Sequence, residues 1–508
     1  MTINVNKPQP IEKSADRETY KLSEEQARVV KSALTAGYGI SPDTQVDGGA
    51  LKVESLDPQI KNLTYGTNDF TIYPDLVAQG TVQARSTVEK YIQFAQHGRI
   101  GHRLFQPEIG IGDVNSPRLK QQTVNMKYIV DTRQQSFAMQ AAATVANPVE
   151  VQERDAITTI GKTIEWAIFN GDADLTAEGK GQGLEFDGLP KLIDPRNKID
   201  LRARQLSPEV LNQAAVLIAQ GFGTATDAYM PVGVLADFSN QFLGAQRIVM
   251  PTPDGTTAGT NIDRFMSARG QINLKGSTVM DMDDLLDDSA PVNPQAPAQV
   301  AVTATVQADK GGQWLDELTD PKVVDGAGKP VVIRPAEINV EQSYKVVAVG
   351  AHGDSIPSEE VKATPANATD GVALTIKFAA MQAEIPDYVA IYRKGVKTGK
   401  YYLIGRVPTS EMGDDGVINF LDVDSRIPET ANIFIGEMDP QVIALYQFIP
   451  LSRFDLATVT TATSFAIMWS GSLALMNPRR WVEISNVRYN LFADEQNLKG
   501  LNVWGYSK

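Results

Sequence analysis

Residues 147–171 have the sequence NPVEVQERDAITTIGKTIEWAIFNG, which contains the strongest helix signal in the chain. Asn147 suits the N-cap and Pro148 the first turn, where a missing backbone N–H has no cost. Six apolar residues recur at helical spacing and form one stripe: Ala156, Ile157, Ile160, Ile164, Ala167 and Ile168. Gly171 suits the end of the helix. The stretch therefore predicts a long amphipathic helix over 148–169 that packs against a core.

A long β-hairpin is predicted upstream of this helix. Residues 81–94 and 121–131 have strand patterns. Residues 81–130 contain seven basic and three acidic residues, a net charge of +4, in a chain whose net charge is −14. Six of the cations are candidates for contact with a neighbouring copy: Arg85, Lys90, Arg99, Arg103, Arg118 and Lys120. Opposite fields would steer such a contact and fix its register, although a solvated hairpin surface explains the same charges.

A separate all-β segment follows a change of composition near residue 290, where Pro291, Pro294 and Pro297 mark a linker. Six short apolar stretches between turn residues have the spacing of a β-sandwich: 299–306, 343–351, 372–378, 388–393, 401–407 and 417–421. Residues 292–435 carry 13 basic and 19 acidic residues, so we expect an acidic, exposed domain. Because apolar segments resume after it, the sandwich is predicted to be an insertion.

The residue inventory argues against most kinds of chemical site. The absence of cysteine excludes disulfides, thiolate metal sites and cysteine nucleophiles. His97 and His102 are five residues apart, a poor spacing for two metal ligands on one helix. The glycines of 179–183 lack the strand–turn–helix context of a phosphate loop, and the acidic run 281–288 lacks the pattern of an EF-hand. We therefore predict no catalytic, cofactor-binding or metal-binding residues.

Charge and hydropathy also bear on partners and location. A net charge of −14 does not suit a protein that grips nucleic-acid phosphates, although it keeps a concentrated protein soluble. The polar first twenty residues have no secretory signal pattern. The most apolar stretch, 465–476, is too short to span a bilayer. We therefore expect no membrane association and folding in a cytoplasm.

Several blocks of the sequence, taken in order, resemble the major capsid proteins of the Twort-like contractile-tailed phages of Gram-positive hosts. The blocks are GYGISPDTQ (37–45), KTIEW (162–166), NGDA (170–173), GLEFDGL (183–189), GFGTATDAYMP (221–231), LAL (473–475) and PRRW (478–481). They span most of the chain outside its first residues. Their ordered combination is specific, although no single block is.

The resemblance implies an α+β chain with the Hong Kong 97 fold and an inserted immunoglobulin- or fibronectin-like β-sandwich. The implied parts are an N-terminal arm with a short helix (1–45), a peripheral domain (46–75 and 132–204) with a spine helix (148–169), an extended loop (76–131), an axial domain (205–290 and 436–476), the inserted sandwich (291–435) and a return to the peripheral domain (477–508). Such insertions usually decorate the outer surface of a capsid.

The resemblance further implies a structural protein, not an enzyme, that self-assembles as hexamers and pentamers into an icosahedral shell around double-stranded DNA. Other implied partners are scaffold, portal, prohead protease and decoration proteins; the DNA would be held by confinement, and no cofactor is expected. A protease would cut near Leu22, Ser23 and Glu24, which match a hydrophobic-x-Glu pattern of some tailed phages. The implied location is the virion, after assembly in the host cytoplasm.

Two other functions stay open at this point. An encapsulin-type compartment shell has the same fold, but it would lack the inserted sandwich and would need a cargo. A glycosidase with a fibronectin-like module would need a secretory signal and a pair of carboxylates in a cleft. The sequence shows no such signal, and 61 acidic residues make chance carboxylate pairs inevitable.

Overall fold

The computed structural model describes most of the chain between Asp69 and Tyr489. The described residues are 69–97, 105, 108–110, 116–141, 147–175, 183–242, 249–252, 255–258, 262–281, 285–286, 293–316, 318–324, 330–334, 336–378, 385–396, 398–413, 416–457 and 461–489. Over these residues the chain is a mixed α+β protein, which confirms the predicted fold class. No helix within them combines the length and the apolarity that crossing a bilayer requires.

Helices and strands alternate in the first half of the described chain, and strands dominate the second half. The helices in these ranges are α1 (Ile72–Gln79), α2 (Phe137–Ala141), α3 (Pro148–Asn170), α4 (Leu189–Leu192), α5 (Pro208–Gln220) and α6 (Val232–Gln241). The strands before the insertion are β1 (Val82–Gln83), β2 (Val88–Gln96), β3 (Arg118–Asn125), β4 (Lys127–Ser136), β5 (Lys198–Asp200), β6 (Asp227–Pro231), β7 (Val249–Thr252), β8 (Gly255–Ala258), β9 (Arg264–Ser267) and β10 (Gly270–Ser277). The later strands are β11 (Ala301–Gln307), β12 (Leu318–Val324), β13 (Pro330–Arg334), β14 (Gln342–Gly350), β15 (Gly353–Asp354), β16 (Val361–Ala363), β17 (Gly371–Lys377), β18 (Tyr388–Lys394), β19 (Tyr401–Pro408), β20 (Val417–Asp422), β21 (Thr430–Gly436), β22 (Ile443–Asp455), β23 (Ala462–Leu475) and β24 (Trp481–Arg488).

Helix α3 packs on a four-stranded sheet with the order β1-β22-β23-β4. Alternate residues of β23, from Phe465 to Leu475, join the buried stripe of α3 in one hydrophobic core. Gly161 of α3 faces the Phe70 ring, and a Cβ atom there would come within 2.7 Å of that ring. Glycine at this position therefore lets the segment that leads into α1 lie directly against the long helix.

A buried carboxylate joins α1 to α3. The Glu165 side chain is fully buried in the core. It accepts hydrogen bonds from the backbone N–H groups of Thr71, Ile72 and Tyr73, at 2.8, 3.3 and 2.9 Å, and from the Thr71 hydroxyl at 2.8 Å. The N-cap residue Thr71 makes no side-chain cap of its own, so Glu165 satisfies the free N–H groups at the start of α1. Burial raises the pKa of Glu165, and the hydrogen bonds act against that rise.

The second large sheet has the order β5-β24-β21-β6-β10-β9, and helices α5 and α6 pack against it. A polar network ties this sheet to α1. The Lys275 ammonium lies 2.7 Å from Asp75 of α1 and 3.0 Å from Asp227 of β6. The Tyr229 hydroxyl donates to Asp75 at 2.6 Å. Burial raises the pKa of Tyr229, so its hydroxyl keeps the proton that it donates.

Residues between β10 and β21 form two further sheets that share one hydrophobic core. One sheet has the order β11-β17-β20, and the other has the order β15-β14-β18-β19, with β16 also pairing with β14. Strands occupy all six stretches in which the sequence predicts them. Strands β12 and β13 form a separate two-stranded ribbon.

An ion-pair cluster lies inside this sandwich. The Arg393 side chain is fully buried, and its guanidinium lies 2.7 Å from Asp422 and 2.5 Å from Asp424. The Trp314 ring lies 4.9 Å from the guanidinium carbon. Two carboxyl groups thus share one cation in a dry environment. Burial, with the negative field of Glu337 and Asp422, raises the pKa of Asp424 to about 8, although Arg393 lowers it in part.

The sandwich is attached to α3 through Arg406 of β19. Its guanidinium forms an ion pair with Glu185 at 3.0 Å, donates to the carbonyl of Asn170 and lies 5.1 Å from the Trp166 ring. Asn170 is the last residue of α3, where a cation complements the free carbonyl groups. A second attachment joins Arg202 to the Asp424 carbonyl at 3.2 Å.

Long-range strand pairing joins segments that the domain prediction placed apart. Residues 436–476, predicted to belong with 205–290, contain β22 and β23, which pair with β4 in the sheet under α3. Residues 430–435, predicted as part of the sandwich, lie in β21 between β6 and β24. Residues 481–488, predicted as a return to the peripheral domain, form β24 in the six-stranded sheet. Apolar periodicity identifies a strand and its buried face, but it carries no signal for the partner strand.

One local prediction also differs from the structure. The predicted hairpin strand 121–131 is two strands, because β3 ends at Asn125 and the Met126 N–H donates to the Thr87 carbonyl at 2.8 Å. One continuous apolar pattern therefore covers two strands here.

Replacing Glu165 with alanine should destabilise the free subunit by about 3 kcal/mol, because three backbone N–H groups at the start of α1 lose their acceptor. The urea concentration at the unfolding midpoint measures the loss. Glu150→Ala is the matched control, since Glu150 lies on the exposed surface of the same helix and should cost less than about 0.5 kcal/mol. Equal losses from the two substitutions would show that the cap does not stabilise the fold.

The two acids around Arg393 should respond differently to substitution by asparagine. Asp422→Asn should cost about 3–5 kcal/mol, because Arg393 loses a carboxylate inside the core. Asp424→Asn should cost less than about 1 kcal/mol at pH 7, because a pKa of about 8 leaves this carboxyl largely protonated there. Urea unfolding of the two variants at pH 7 measures both losses.

The same cluster predicts a pH dependence of stability. The pKa of Asp424 is higher in the folded chain than its ordinary value of 3.8, so the unfolded chain releases this proton first. Stability from this group is therefore lost as the pH rises from about 4 to about 8. Asp424→Asn should remove this part of the dependence in urea unfolding at pH 5 and pH 8. An unchanged dependence in the variant would contradict the assignment.

Candidate intersubunit surface

Strands β2 and β3 form a two-stranded antiparallel ribbon. Their register runs from Val88 opposite Asn125 to Gln96 opposite Arg118, with one irregularity between Phe94 and Gln96. Successive side chains of a strand point to opposite faces, so Val88, Lys90, Ile92 and Phe94 share one face and Glu89, Tyr91 and Gln93 the other. The first set forms what we call the outer face and the second the inner face.

The inner face is anchored to the four-stranded sheet. Val124 and Met126 are buried with Ala84 and Ala474 in a small core, and Tyr91 packs against it. The Tyr91 hydroxyl lies 3.5 Å from the Leu475 carbonyl, and the Gln93 amide donates to the Met476 carbonyl at 2.5 Å. Burial raises the pKa of Tyr91. The base of the ribbon is therefore fixed on the four-stranded sheet that packs on α3.

The outer face presents apolar side chains to solvent. Val88 is 44% exposed, Ile92 68%, Phe94 64% and Leu119 57%. Phe94 and Leu119 are directly opposite each other in the register. A two-stranded ribbon cannot bury both of its faces by itself. A cluster of large apolar side chains on an exposed ribbon is typical of a surface that another molecule covers.

The predicted cations surround this surface without gathering on one face. Arg85, Lys90, Arg118 and Lys120 are all exposed. Lys90 lies on the outer face between Val88 and Ile92, whereas Lys120 lies opposite Gln93 on the inner face. Arg85 precedes β2, and its backbone N–H donates to Glu89 at 2.5 Å. The other two cations, Arg99 and Arg103, lie outside the described residues.

Sequence reasoning named the charges of the hairpin and missed its apolar face. The signal was present, because Val88, Ile92 and Phe94 alternate with polar residues over β2. Alternation alone predicts a buried face on the chain's own core. Only the structure shows that the inner face packs on that core and that the apolar side chains of the outer face are exposed.

A cleft of about 300 Å³ lies between the β2–β3 ribbon, the segment around α4 and the end of β23. Its lining includes Gln122 and Lys127 from the ribbon side, Asp187 and Lys191 from the segment around α4, and Ser472 from β23. Lys127 donates to the carbonyl of Gly183, and burial lowers its pKa while Asp187 acts against that fall. The cleft is polar, and its charged groups already have partners within the chain.

Lys191 organises the acidic loop beside this cleft. Its ammonium pairs with Asp172, with Asp174 at 2.6 Å and with Asp187 at 3.1 Å. Burial acts to raise the pKa of Asp172, but the hydrogen bonds from Lys191 and from the Asp174 N–H, with the positive charges of Lys191 and Arg406, together outweigh burial, and the pKa is lowered. One lysine therefore pairs with three carboxylates. Within the described ranges no three acidic or histidine side chains form a metal-binding cluster.

The remaining sequence candidates have structural partners or lie outside the described ranges. His97 stacks on Phe94, with 5.3 Å between the ring centroids. Asp422 accepts from the Asp424 N–H at 2.9 Å, and both acids pair with Arg393. His102, the predicted cleavage region Leu22–Ser23–Glu24 and most of the acidic run 281–288 lie outside the described residues.

Comparison with known proteins gives the family of the chain. The family model of the SU10 major capsid protein matches residues 120–290. The major capsid protein of Staphylococcus phage K is 45% identical over 490 residues, which cover 96% of this chain and 99% of the relative. The putative major capsid protein of Enterococcus phage phiEF24C is 42% identical over 94% of this chain and 97% of the relative. The encapsulin and glycosidase interpretations are not favoured by these relatives.

Two solved structures resemble this chain weakly. The capsid of Myoviridae phage XM1 matches 89% of this chain and 100% of that chain, at 9% identity and a TM-score of 0.40. The SrpI encapsulin of Synechococcus elongatus matches 87% of this chain and 94% of that chain, at 8% identity and a TM-score of 0.37. The full-length sequence relatives, and not these distant structures, decide the family. The chain belongs to the major capsid proteins of the Twort-like tailed phages, and it is a component of the virion capsid.

Proposed function

We propose that this capsid protein assembles as hexamers and pentamers into the icosahedral shell that encloses the double-stranded DNA of its phage, and that it has no catalytic activity of its own. The observation that carries the proposal is the apolar outer face of the β2–β3 ribbon. The side chains of Val88, Ile92, Phe94 and Leu119 are half to two-thirds exposed in a single subunit. Each ribbon therefore docks on a neighbouring copy, which covers this face.

The energy of one such contact is small, and repetition makes it effective. Covering the four side chains contributes on the order of 1 kcal/mol each, because each is already partly buried. The loss of rigid-body freedom on docking consumes much of this gain. A closed, symmetric shell repeats the contact many times, and mass action then stabilises the assembled state.

The cations of the ribbon set the direction and register of docking. Arg85, Lys90, Arg118 and Lys120 are exposed on or beside the ribbon, while the whole chain has a net charge of −14. Attraction between a basic ribbon and an acidic neighbour speeds encounter and excludes wrong alignments more than it adds affinity. The same negative charge favours DNA that is held by confinement, since phosphate binding needs basic surfaces.

Each large sheet has a role in this arrangement. Helix α3 and its four-stranded sheet form the peripheral domain, and the six-stranded sheet with α5 and α6 forms the axial domain around the centre of each ring. The sandwich between β10 and β21 is an immunoglobulin-like insertion on the outer surface. Its acidity and its attachment through Arg406 and Arg202 support this role, because a decoration must be soluble and held at a fixed angle. Scaffold, portal, decoration proteins and a prohead protease that cuts near Leu22–Ser23–Glu24 complete the set of partners.

Removing the apolar side chains of the outer face should prevent assembly without unfolding the subunit. The variant is Ile92→Ser with Phe94→Ser, made in the full chain and co-expressed with the other head proteins of the phage. Particle yield, counted by negative-stain electron microscopy after sedimentation, should fall by about tenfold or more.

Ile356→Ser is the control for that variant. Ile356 is 55% exposed on the inserted sandwich, so its change removes similar apolar area away from the ribbon. Its particle yield should match that of the wild type. Normal yields from the ribbon variant, with wild-type folding by circular dichroism, would remove the main support for docking through this face.

Reversing the charge of the ribbon should slow assembly. The variant is Lys90→Glu, Arg118→Glu and Lys120→Glu together, and light scattering measures the rate. The wild-type rate should fall as salt rises from about 0.05 to about 0.5 M, because salt screens the attraction. The same three residues changed to glutamine should give an intermediate rate that depends little on salt. An assembly rate that is unchanged in both variants would show that these cations are solvated surface charges with no part in docking.

A further inference from the structure

Strand β11 is an edge strand of the inserted sandwich, and β16 of the facing sheet lies close to it. It covers Ala301–Gln307, with the sequence AVTATVQ, and it pairs with β17 through an unbroken antiparallel register. Among the described strands it pairs with no other. One row of its backbone N–H and C=O groups therefore points away from the sheet, where it can pair with another chain.

The other edge strands of the sandwich differ from β11 in length or in their contacts. In β19, the Tyr401 carbonyl accepts from the Leu286 N–H at 3.0 Å and Tyr402 forms a bridge with Leu285. Strands β15 and β16 have two and three residues. Strand β20, the opposite edge of the same sheet, has six residues and also pairs only with β17 among the described strands; it ends at the acidic residue Asp422, and Arg202 holds the chain just beyond it.

Proteins protect open edges with charges, proline, bulges or short length. Strand β11 has none of these, because its seven residues carry no charge and no proline and its register with β17 has no shift. Its outward side chains, Thr303 and Thr305, are exposed, and Val306 is 41% exposed. An edge that is left in this state on a highly concentrated protein is expected to have a partner.

The sequence of the strand identifies that partner. Residues 302–306 are Val-Thr-Ala-Thr-Val, which is the same in both directions about Ala304. In an antiparallel pair of two identical strands with a two-fold axis at Ala304, Thr303 lies opposite the partner's Thr305 and Val302 opposite the partner's Val306. Threonine pairs and β-branched pairs are among the favourable cross-strand combinations.

Charge also permits this pairing although the domain is acidic. The seven residues of β11 include no charged residue, so no two carboxylates face each other along the paired edge. Like charges directly opposite would oppose the pair. The edge is thus self-complementary in side-chain shape and free of electrostatic conflict.

We propose that β11 pairs antiparallel with β11 of a second copy across a two-fold axis, which joins the two three-stranded sheets into one continuous six-stranded sheet. This contact links sandwiches of neighbouring subunits on the capsid surface. It is independent of the β2–β3 ribbon, and it reinforces a shell that the ribbon contacts already close.

Cysteine cross-linking tests the register directly, because the chain has no cysteine of its own. Thr303→Cys subunits are mixed with Thr305→Cys subunits before assembly and then oxidised. Opposite Cβ atoms lie about 4.5–5.5 Å apart, which a disulfide can bridge after a small adjustment. We expect disulfide-linked dimers at about tenfold the level of Thr303→Cys alone. The control is Thr303→Cys mixed with Asn419→Cys, since Asn419 is exposed on β20 at the opposite edge of the sheet. Mixtures that do not exceed these controls would overturn the pairing.

A charge-swap series separates pairing from folding, because its variants change the same two exposed positions. Thr303→Lys with Thr305→Lys places lysine against lysine at both opposite pairs. Thr303→Lys with Thr305→Glu places lysine against glutamate at both. Hydrogen–deuterium exchange of residues 301–307 in assembled particles should be slow in the wild type, fast in the first variant and slow again in the second. Equal exchange in the two variants would contradict the two-fold register. Slow exchange of the wild type without cross-linking would show that a different protein pairs with this edge.

Discussion

Helix α3 holds the described chain together through contacts along its whole length. Near its start, Asp155 pairs with Arg133 of β4 at 2.9 Å. Further along, Glu165 caps α1, which carries the Asp75 that binds the six-stranded sheet. At its end, the Asn170 carbonyl accepts from Arg406 of the sandwich. Both large sheets and the insertion therefore take their positions from one helix, and burial of its apolar stripe stabilises all of these contacts at once.

This arrangement leaves particular surfaces exposed, and these are the surfaces at which we propose assembly contacts. The β2–β3 ribbon has no room in the core of its own subunit, because that core is already filled by α3 and β23. Its inner face packs on the four-stranded sheet of its own subunit, and its apolar outer face is exposed, where we propose that a neighbouring subunit binds. The sandwich attaches through Arg406 of β19 and through Arg202 next to the end of β20, and β11 lies at the other edge of the β20 sheet. A protein that builds a shell from many copies needs surfaces of this kind, whereas a monomeric enzyme does not.

Local signals in the sequence were sufficient for the helix and for the strands of the insertion. The expected bounds of 148–169 differ from Pro148–Asn170 by one residue, because caps and periodicity act within a few residues of each other. Pairing over long distances was not predictable: residues 443–475 return to β4, more than 300 positions earlier in the chain. The roles of Glu165 and Arg393 were not predicted, because a charged residue type by itself gives no signal that the side chain is buried. The apolar outer face of the ribbon appears in the sequence as an alternation of apolar and polar residues. Its exposure depends on which face of the ribbon packs on the four-stranded sheet.

The central claim is that the outer face of the ribbon is covered by a neighbouring subunit in the capsid. Hydrogen–deuterium exchange of residues 88–96 and 118–125, compared between assembled particles and free subunits, tests it most directly. The account predicts that exchange in this ribbon slows by about a hundredfold or more on assembly, because local opening is suppressed when both faces are packed. The exposed turn at 351–354 of the sandwich should change little. Equal exchange of the ribbon in particles and free subunits would contradict the account.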